Sequence, residues 1–162
     1  MAAVVTTAFV ALLALFPWLA VYGVRKLRPR MDGVALWFGL PAAWVLSEWI
    51  RIWFLTGFPW LFLGYSQTDT PLANIAPVFG VLGVSFGVAL LAGGLAWVCL
   101  RPGIKRVAVG VIVALGILSG AALLDRDWTT PAAEPLSVAL LQGNIAQDKK
   151  WDPMYRAMTL ER

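Results

Sequence analysis

Residues 77–100 read PVFGVLGVSFGVALLAGGLAWVCL, 24 positions without one acidic or basic side chain. A hydrocarbon core of about 30 Å is crossed by roughly 20 helical residues, so this run predicts a membrane span. Helix is required there, because an apolar strand alone in lipid leaves its backbone amides unpaired. Working outward, runs near 3–24, 34–55 and 107–124 predict three further spans, giving an α-helical polytopic membrane protein of about four transmembrane helices. Of 162 residues, 60% are hydrophobic and 14% charged. A soluble domain averages about 45–50% apolar and 25% charged, so lipid is the cheaper place for these runs.

The net charge of +4 would suit a nucleic-acid partner if the cations formed a stripe on a folded surface. They gather instead in two short clusters between apolar runs, Arg25-Lys26-Leu27-Arg28-Pro29-Arg30 and Arg101-Pro102-Gly103-Ile104-Lys105-Arg106. Such loops mark the cytoplasmic side, and no nucleic-acid partner is expected. The connection 56–76 carries no Lys or Arg, and the stretch after the last span opens Asp125-Arg126-Asp127. Both are expected outside, as is the N-terminus. No basic region precedes the first apolar run, which is therefore read as a retained span rather than a cleaved signal. There is no histidine and one cysteine, Cys99. Within this chain that excludes a His-based triad, an imidazole metal site and an internal disulfide. No Walker motif, dinucleotide fingerprint or paired metal-ligand spacing occurs, so neither a cofactor nor a metal is expected.

The run at 34–55 departs from a lipid-facing pattern. It holds Glu48 and Arg51, together with Ser47, Pro41 and the tryptophans Trp37, Trp44, Trp49 and Trp53. Glu48 and Arg51 stand three apart on one helix face, where pairing lowers the cost of carrying either into a membrane. Pro41 removes a backbone bond to Trp37 and predicts a kink. Beyond it, 56–76 is broken by prolines and glycines and rich in aromatics, which predicts an arm lying along the headgroup layer. Gly80-x-x-Gly83 and Gly83-x-x-x-Gly87 predict close helix approach rather than a site.

Residues 129–135 form a Pro/Ala/Thr linker. Leu136-Ser137-Val138-Ala139-Leu140-Leu141-Gln142 then reads as a buried strand closed by a turn at Gly143-Asn144. Asp152-Pro153 predicts the start of a helix, with Asp152 as N-cap and Pro153 at its first position. One strand without a ladder partner and one short helix make no independent domain, so 136–162 is expected to open a larger, truncated extracytoplasmic fold.

The string Leu46-Ser47-Glu48-Trp49-Ile50-Arg51, followed by Thr56-Gly57-Phe58-Pro59-Trp60-Leu61 and Gly64-Tyr65-Ser66-Gln67, resembles a membrane helix and surface arm of the apolipoprotein N-acyltransferase family. Val138-Ala139-Leu140-Leu141-Gln142-Gly143-Asn144-Ile145-Ala146-Gln147-Asp148-Lys149-Lys150-Trp151-Asp152-Pro153 resembles the first strand and loop of that family's nitrilase-like α/β sandwich. The resemblance implies acyl transfer at the outer face of the bacterial inner membrane. A phospholipid acyl chain is held as a thioester on a cysteine and passed to the α-amino group of an apolipoprotein's lipidated N-terminal cysteine. Such chemistry needs a thiolate, a carboxylate to move protons and donors for the oxyanion. The family's Cys, Glu and Lys lie downstream of the region matching Arg162, so no catalytic residue is expected here. The partners implied are a phospholipid acyl donor, an apolipoprotein acceptor and the bilayer. This chain alone is expected to be inactive.

Within that frame Trp60 and Tyr65, on the arm, and Trp151, in a polar loop, are candidate substrate contacts. For the first two, ordinary aromatic anchoring is an equal reading, and for Trp151 simple core packing is. Arg51 is a candidate for a phospholipid phosphate, although a structural Glu48–Arg51 ion pair is the favoured role. Cys99 is read as a packing cysteine beside Arg101, and Lys149 and Lys150 as solvated or headgroup contacts. A non-enzymatic four-helix scaffold or transporter module accounts equally for the spans and cations. It does not account for the arm followed by a strand and Trp-Asp-Pro loop.

Overall fold

Twenty-six residues, Ala2–Leu27, form helix α1 in a computed structural model that describes residues 1–132, 136–140, 142, 144, 146, 150 and 153–155. The chain divides into two units, Met1–Trp128 and Thr129–Arg162. In the first, α1 ends at its basic pair Arg25 and Lys26, where cations complement the exposed carbonyls of a helix C-terminus. Asp32 starts the next helix. Its carbonyl accepts the Leu36 amide at 3.0 Å and its carboxylate accepts the Ala35 amide at 2.9 Å, the geometry of an N-cap. That amide bond, with Arg28 at 3.0 Å in support, holds the Asp32 carboxyl below its ordinary value.

The helix opens with a π-helical turn, Ala35–Gly39, and continues as α2, Leu40–Arg51. The wide turn has a local cause. The Leu40 amide reaches back five residues to the Ala35 carbonyl, and Pro41 has no amide to offer the next carbonyl. The chain then takes left-handed backbone at Leu55, Thr56 and Gly57 (φ +48°, +74° and +93°) and runs through 3₁₀ turns at Phe54–Thr56, Leu63–Gln67 and Pro71–Ile75. Helix α3 follows over Ala76–Leu100, interrupted at Gly80 (φ +66°). Helix α4 covers Ile104–Ala122.

Among the described residues three helices, not four, are long and apolar enough to cross a membrane: Ala2–Leu27, Pro71–Leu100 and Ile104–Ala122. The run expected as a span at 34–55 is helical, but it changes register before Pro41 and stops at Arg51, four residues early. Its polar side chains interrupt the apolar surface that a lipid-exposed crossing requires.

Helix α3 is central, packing against α2, α4, the π-helical turn and the last two 3₁₀ turns. Its tightest approach falls at Gly93 and Gly94. A Cβ on Gly93 would run into the Leu36 carbonyl, and one on Gly94 into the Trp37 ring. Small residues of this kind let backbones meet where lipid supplies no hydrophobic drive. Leu72, from the turn Pro71–Ile75, is buried with Val84 of α3 and Ala121 of α4. At the opposite end of α3, Arg101 donates to the Arg30 carbonyl at 3.2 Å, so the two basic loops meet.

In the second unit Pro153–Tyr155 is a 3₁₀ turn and the Lys150 amide donates to the Ala146 carbonyl at 3.1 Å. Among the described residues there is no strand, and those of the strand expected at 136–142 lie exposed without one. No second strand is described that could supply a ladder, and a lone strand has nothing to bond. Lys149, Trp151 and the N-cap expected at Asp152 lie outside the described residues.

Candidate functional site

The segment from Phe54 to Ile75 is an arm held at several points, and its anchors come from three helices. The Phe58 amide donates to the Arg51 carbonyl at 2.7 Å, turning the chain back off the end of α2. Two rings then fix the near side against α1. Phe54 meets Phe16 edge-on with centroids 5.5 Å apart, and Phe58 meets Phe9 at 5.2 Å. These are favoured edge-to-face pairs.

The far side is held by polar bonds. Glu48 is 1% exposed. Its Oε1 accepts the Trp44 indole at 3.0 Å and the Leu63 backbone amide at 2.7 Å. The next amide, that of Gly64, donates to the buried Ser85 hydroxyl of α3 at 2.8 Å. Two consecutive arm amides are thus taken by side chains from two different helices. Gly64 must be glycine for this approach, since a Cβ would strike the Val81 carbonyl.

Arg51 lies 3.9 Å from Glu48 Oε1, a loose charge contact rather than a hydrogen bond. Its guanidinium sits 5.3 Å from the centroid of the Phe62 ring, within cation–π range. Phe62 is buried and stacks on Tyr65 with centroids 5.7 Å apart. Glu48, Arg51 and Tyr65 therefore belong to one cluster through Phe62 and Leu63. Trp60 stands apart from it at the apex, 66% exposed, beside Leu61 at 75% and in left-handed backbone (φ +61°). Trp151 lies outside the described residues.

Position along the bundle follows from helix rise. Phe9, which meets the arm, precedes Arg25 by sixteen helical residues, a distance of about 24 Å. Ser85 precedes Arg101 by the same count, again about 24 Å. The arm and the basic loops thus occupy opposite ends of the helices. Cys99 is exposed at the basic end, next to Arg101. Between α1 and α2 runs a cavity of about 770 Å³ lined by Leu15, Leu19, Gly23, Ala43 and Leu46, with Ser47 and Arg28 as its polar side chains. Such a lining suits apolar groups alone.

Comparison with known proteins now identifies the lineage. The family model for the apolipoprotein N-acyltransferase N-terminal domain matches residues 1–94. The chain belongs to the apolipoprotein N-acyltransferase family. The apolipoprotein N-acyltransferase of Methylococcus capsulatus is 46% identical over 162 residues, covering 99% of this chain and 32% of the relative. That of Chromobacterium violaceum is 47% identical over 144 residues, covering 88% and 28%. That of Pseudomonas syringae pv. tomato is 44% identical over 165 residues, covering 93% and 32%. The chain thus spans about a third of the length of the curated N-acyltransferases it matches. The N-terminal-domain match takes in Glu48, Arg51, the arm and Ser85, and stops short of Cys99.

Ser85 and the Phe62–Gly64 backbone were not foreseen from sequence. The signal for Ser85 was faint: one hydroxyl in an uncharged run of 24. For Leu63 and Gly64 there was none, because the bonding groups are amides that every such residue carries.

Proposed function

We propose that the chain is the membrane portion and arm of an enzyme that moves an acyl chain from a phospholipid to the α-amino group of an apolipoprotein's N-terminal diacylglyceryl-cysteine. The observation that carries the reaction is the match to N-acyltransferases across 99% of the chain for the first relative. The geometry supports its location. In the positive-inside sense, the basic loops lie in the cytoplasm and the arm on the outer face of the inner membrane, with residues beyond α4 in the periplasm. Helix α2 with its π-helical turn, too polar for a lipid-exposed span but packed against both α1 and α3, then makes a fourth, sheltered crossing, since it begins beside the basic loops and ends at the arm. Its run from Gly33 to Arg51 is 19 residues, about 28 Å.

In this arrangement the chain binds and orients. Trp60, at the apex, and Tyr65 meet the lipid substrate, and Arg51 is a contact for the phospholipid phosphate. Trp151 is assigned to the substrate side by resemblance. The thiol, carboxylate and ammonium groups of the transfer step belong to sequence following Arg162, in a nitrilase-like domain that residues 136–162 open.

The test uses the full-length protein in detergent with phospholipid carrying a labelled acyl chain. A hydroxylamine-sensitive acyl-protein should form, and its label should pass to a diacylglyceryl-cysteine peptide amine. Trp60→Ala should slow that transfer about tenfold, equivalent to about 1.4 kcal/mol. Absence of both the acyl-protein and the labelled peptide in the unmutated protein would refute the proposal.

A further inference from the structure

We infer that Glu48 and Ser85 are positioning residues that latch the arm, holding its apex at Trp60 and Leu61 where an acyl donor is met. The inference deepens the proposed function and rests on it for the identity of the donor. Neither side chain lies at the exposed apex. Each acts through a backbone amide.

Three observations carry this. First, both acceptors are almost completely removed from solvent, Glu48 at 1% and Ser85 at 0% exposure. A buried acceptor keeps its donor, because water is not at hand to replace it. Second, the amides they accept are adjacent, Leu63 at 2.7 Å and Gly64 at 2.8 Å, while the acceptors come from α2 and α3. Two bonds to neighbouring peptide groups from two directions fix orientation as well as position. Third, among the described residues the apex just before them has no such support. Trp60 and Leu61 are 66% and 75% exposed, and Leu61 is in left-handed backbone that a leucine rarely adopts unaided. The latch therefore sits where it decides the direction in which the apex leaves the bundle.

Glu48 Oε1 also accepts the Trp44 indole, so a bond within α2 helps to hold the carboxylate's rotamer. An oxygen acceptor at this point is what the Leu63 amide needs, and its charge is secondary. That separates a latch from an ion pair whose value lies in Arg51.

The test places a ¹⁹F-labelled phenylalanine analogue at position 61 of the full-length protein in nanodiscs. Its line shape is measured beside the kinetics of acyl transfer from phospholipid. Glu48→Gln keeps an oxygen for Leu63 and should keep both the native line and the KM for the donor within twofold. Glu48→Leu and Ser85→Ala should each add a narrow, mobile line. Each should also raise donor KM five- to tenfold, with kcat at saturating donor within twofold, because only the competent fraction of arms binds. Should Glu48→Gln behave like Glu48→Leu, or Ser85→Ala leave the line unchanged, the latch is wrong. If Glu48→Leu fails to fold, Ser85→Ala and Glu48→Gln still decide it. If no acyl transfer is found in any form, the proposed function fails, while the ¹⁹F line still reports the latch.

Discussion

Gly93 shows how a single hydrogen atom can govern the packing of a membrane bundle. The Leu36 amide is satisfied by Asp32, but the Leu36 carbonyl stands where the helix changes register, with Leu40 bonded to Ala35 and Pro41 without an amide. That carbonyl is set against α3 at Gly93, where α3 has no Cβ to meet it. On helix propensity alone Gly93→Ala should stabilise by about 0.5–1 kcal/mol. Here the added carbon meets a fixed backbone oxygen, and overpacking costs about 1–3 kcal/mol. The net expectation is destabilisation, read as an earlier midpoint when full-length protein in mixed micelles is titrated with SDS. Gly116→Ala serves as the control, since a Cβ there meets nothing within 4 Å. Equal midpoint shifts in the two variants would mean that the close approach is unimportant.

The arm is the element least like its expectation in detail. It contains aromatics and helix breakers, and part of it is exposed, but it does not lie along a surface throughout its length. Phe62, Gly64 and Leu72 are buried, and two of its 3₁₀ turns pack on α3. Leu72 is the pin of the last turn, 4% exposed against Val84 and Ala121. Its partners come from two helices, so truncating it loosens the arm and the α3–α4 contact together. In a bilayer the loss is one of close-packed contacts more than of hydrophobic transfer. Leu72→Ala should cost roughly 2 kcal/mol, measured by the same SDS titration. A shift no larger than that of an exposed control such as Leu115→Ala would place Leu72 outside the core.

At the largest scale, within the unit Met1–Trp128, the two basic loops meet at one end of the helices and the arm lies at the other. The prediction is therefore one of sidedness. In a full-length protein whose other cysteines are serine, Cys99 should resist a membrane-impermeant maleimide in spheroplasts and react once the membrane is permeabilised. A thiol placed at the apex by Trp60→Cys, with Cys99→Ser, should react without permeabilisation. Labelling with the opposite preference would invert the topology and remove the arm from the outer surface.

Much of this was legible in the chain itself. Runs of about 20 apolar residues, the two cation clusters and the string Leu46–Gln67 are local properties, readable because lipid imposes one simple rule on every span. Spacing alone also put Glu48 and Arg51 on one face. What only the tertiary structure decided is how these parts engage. Glu48 bonds a backbone amide 15 residues away, Ser85 bonds the next one from 21 residues away, and Gly93 yields to a carbonyl on another helix. Backbone amides and carbonyls are alike in every residue but proline, so a sequence shows that they must be satisfied but not by whom. That choice is made only when helices are brought together.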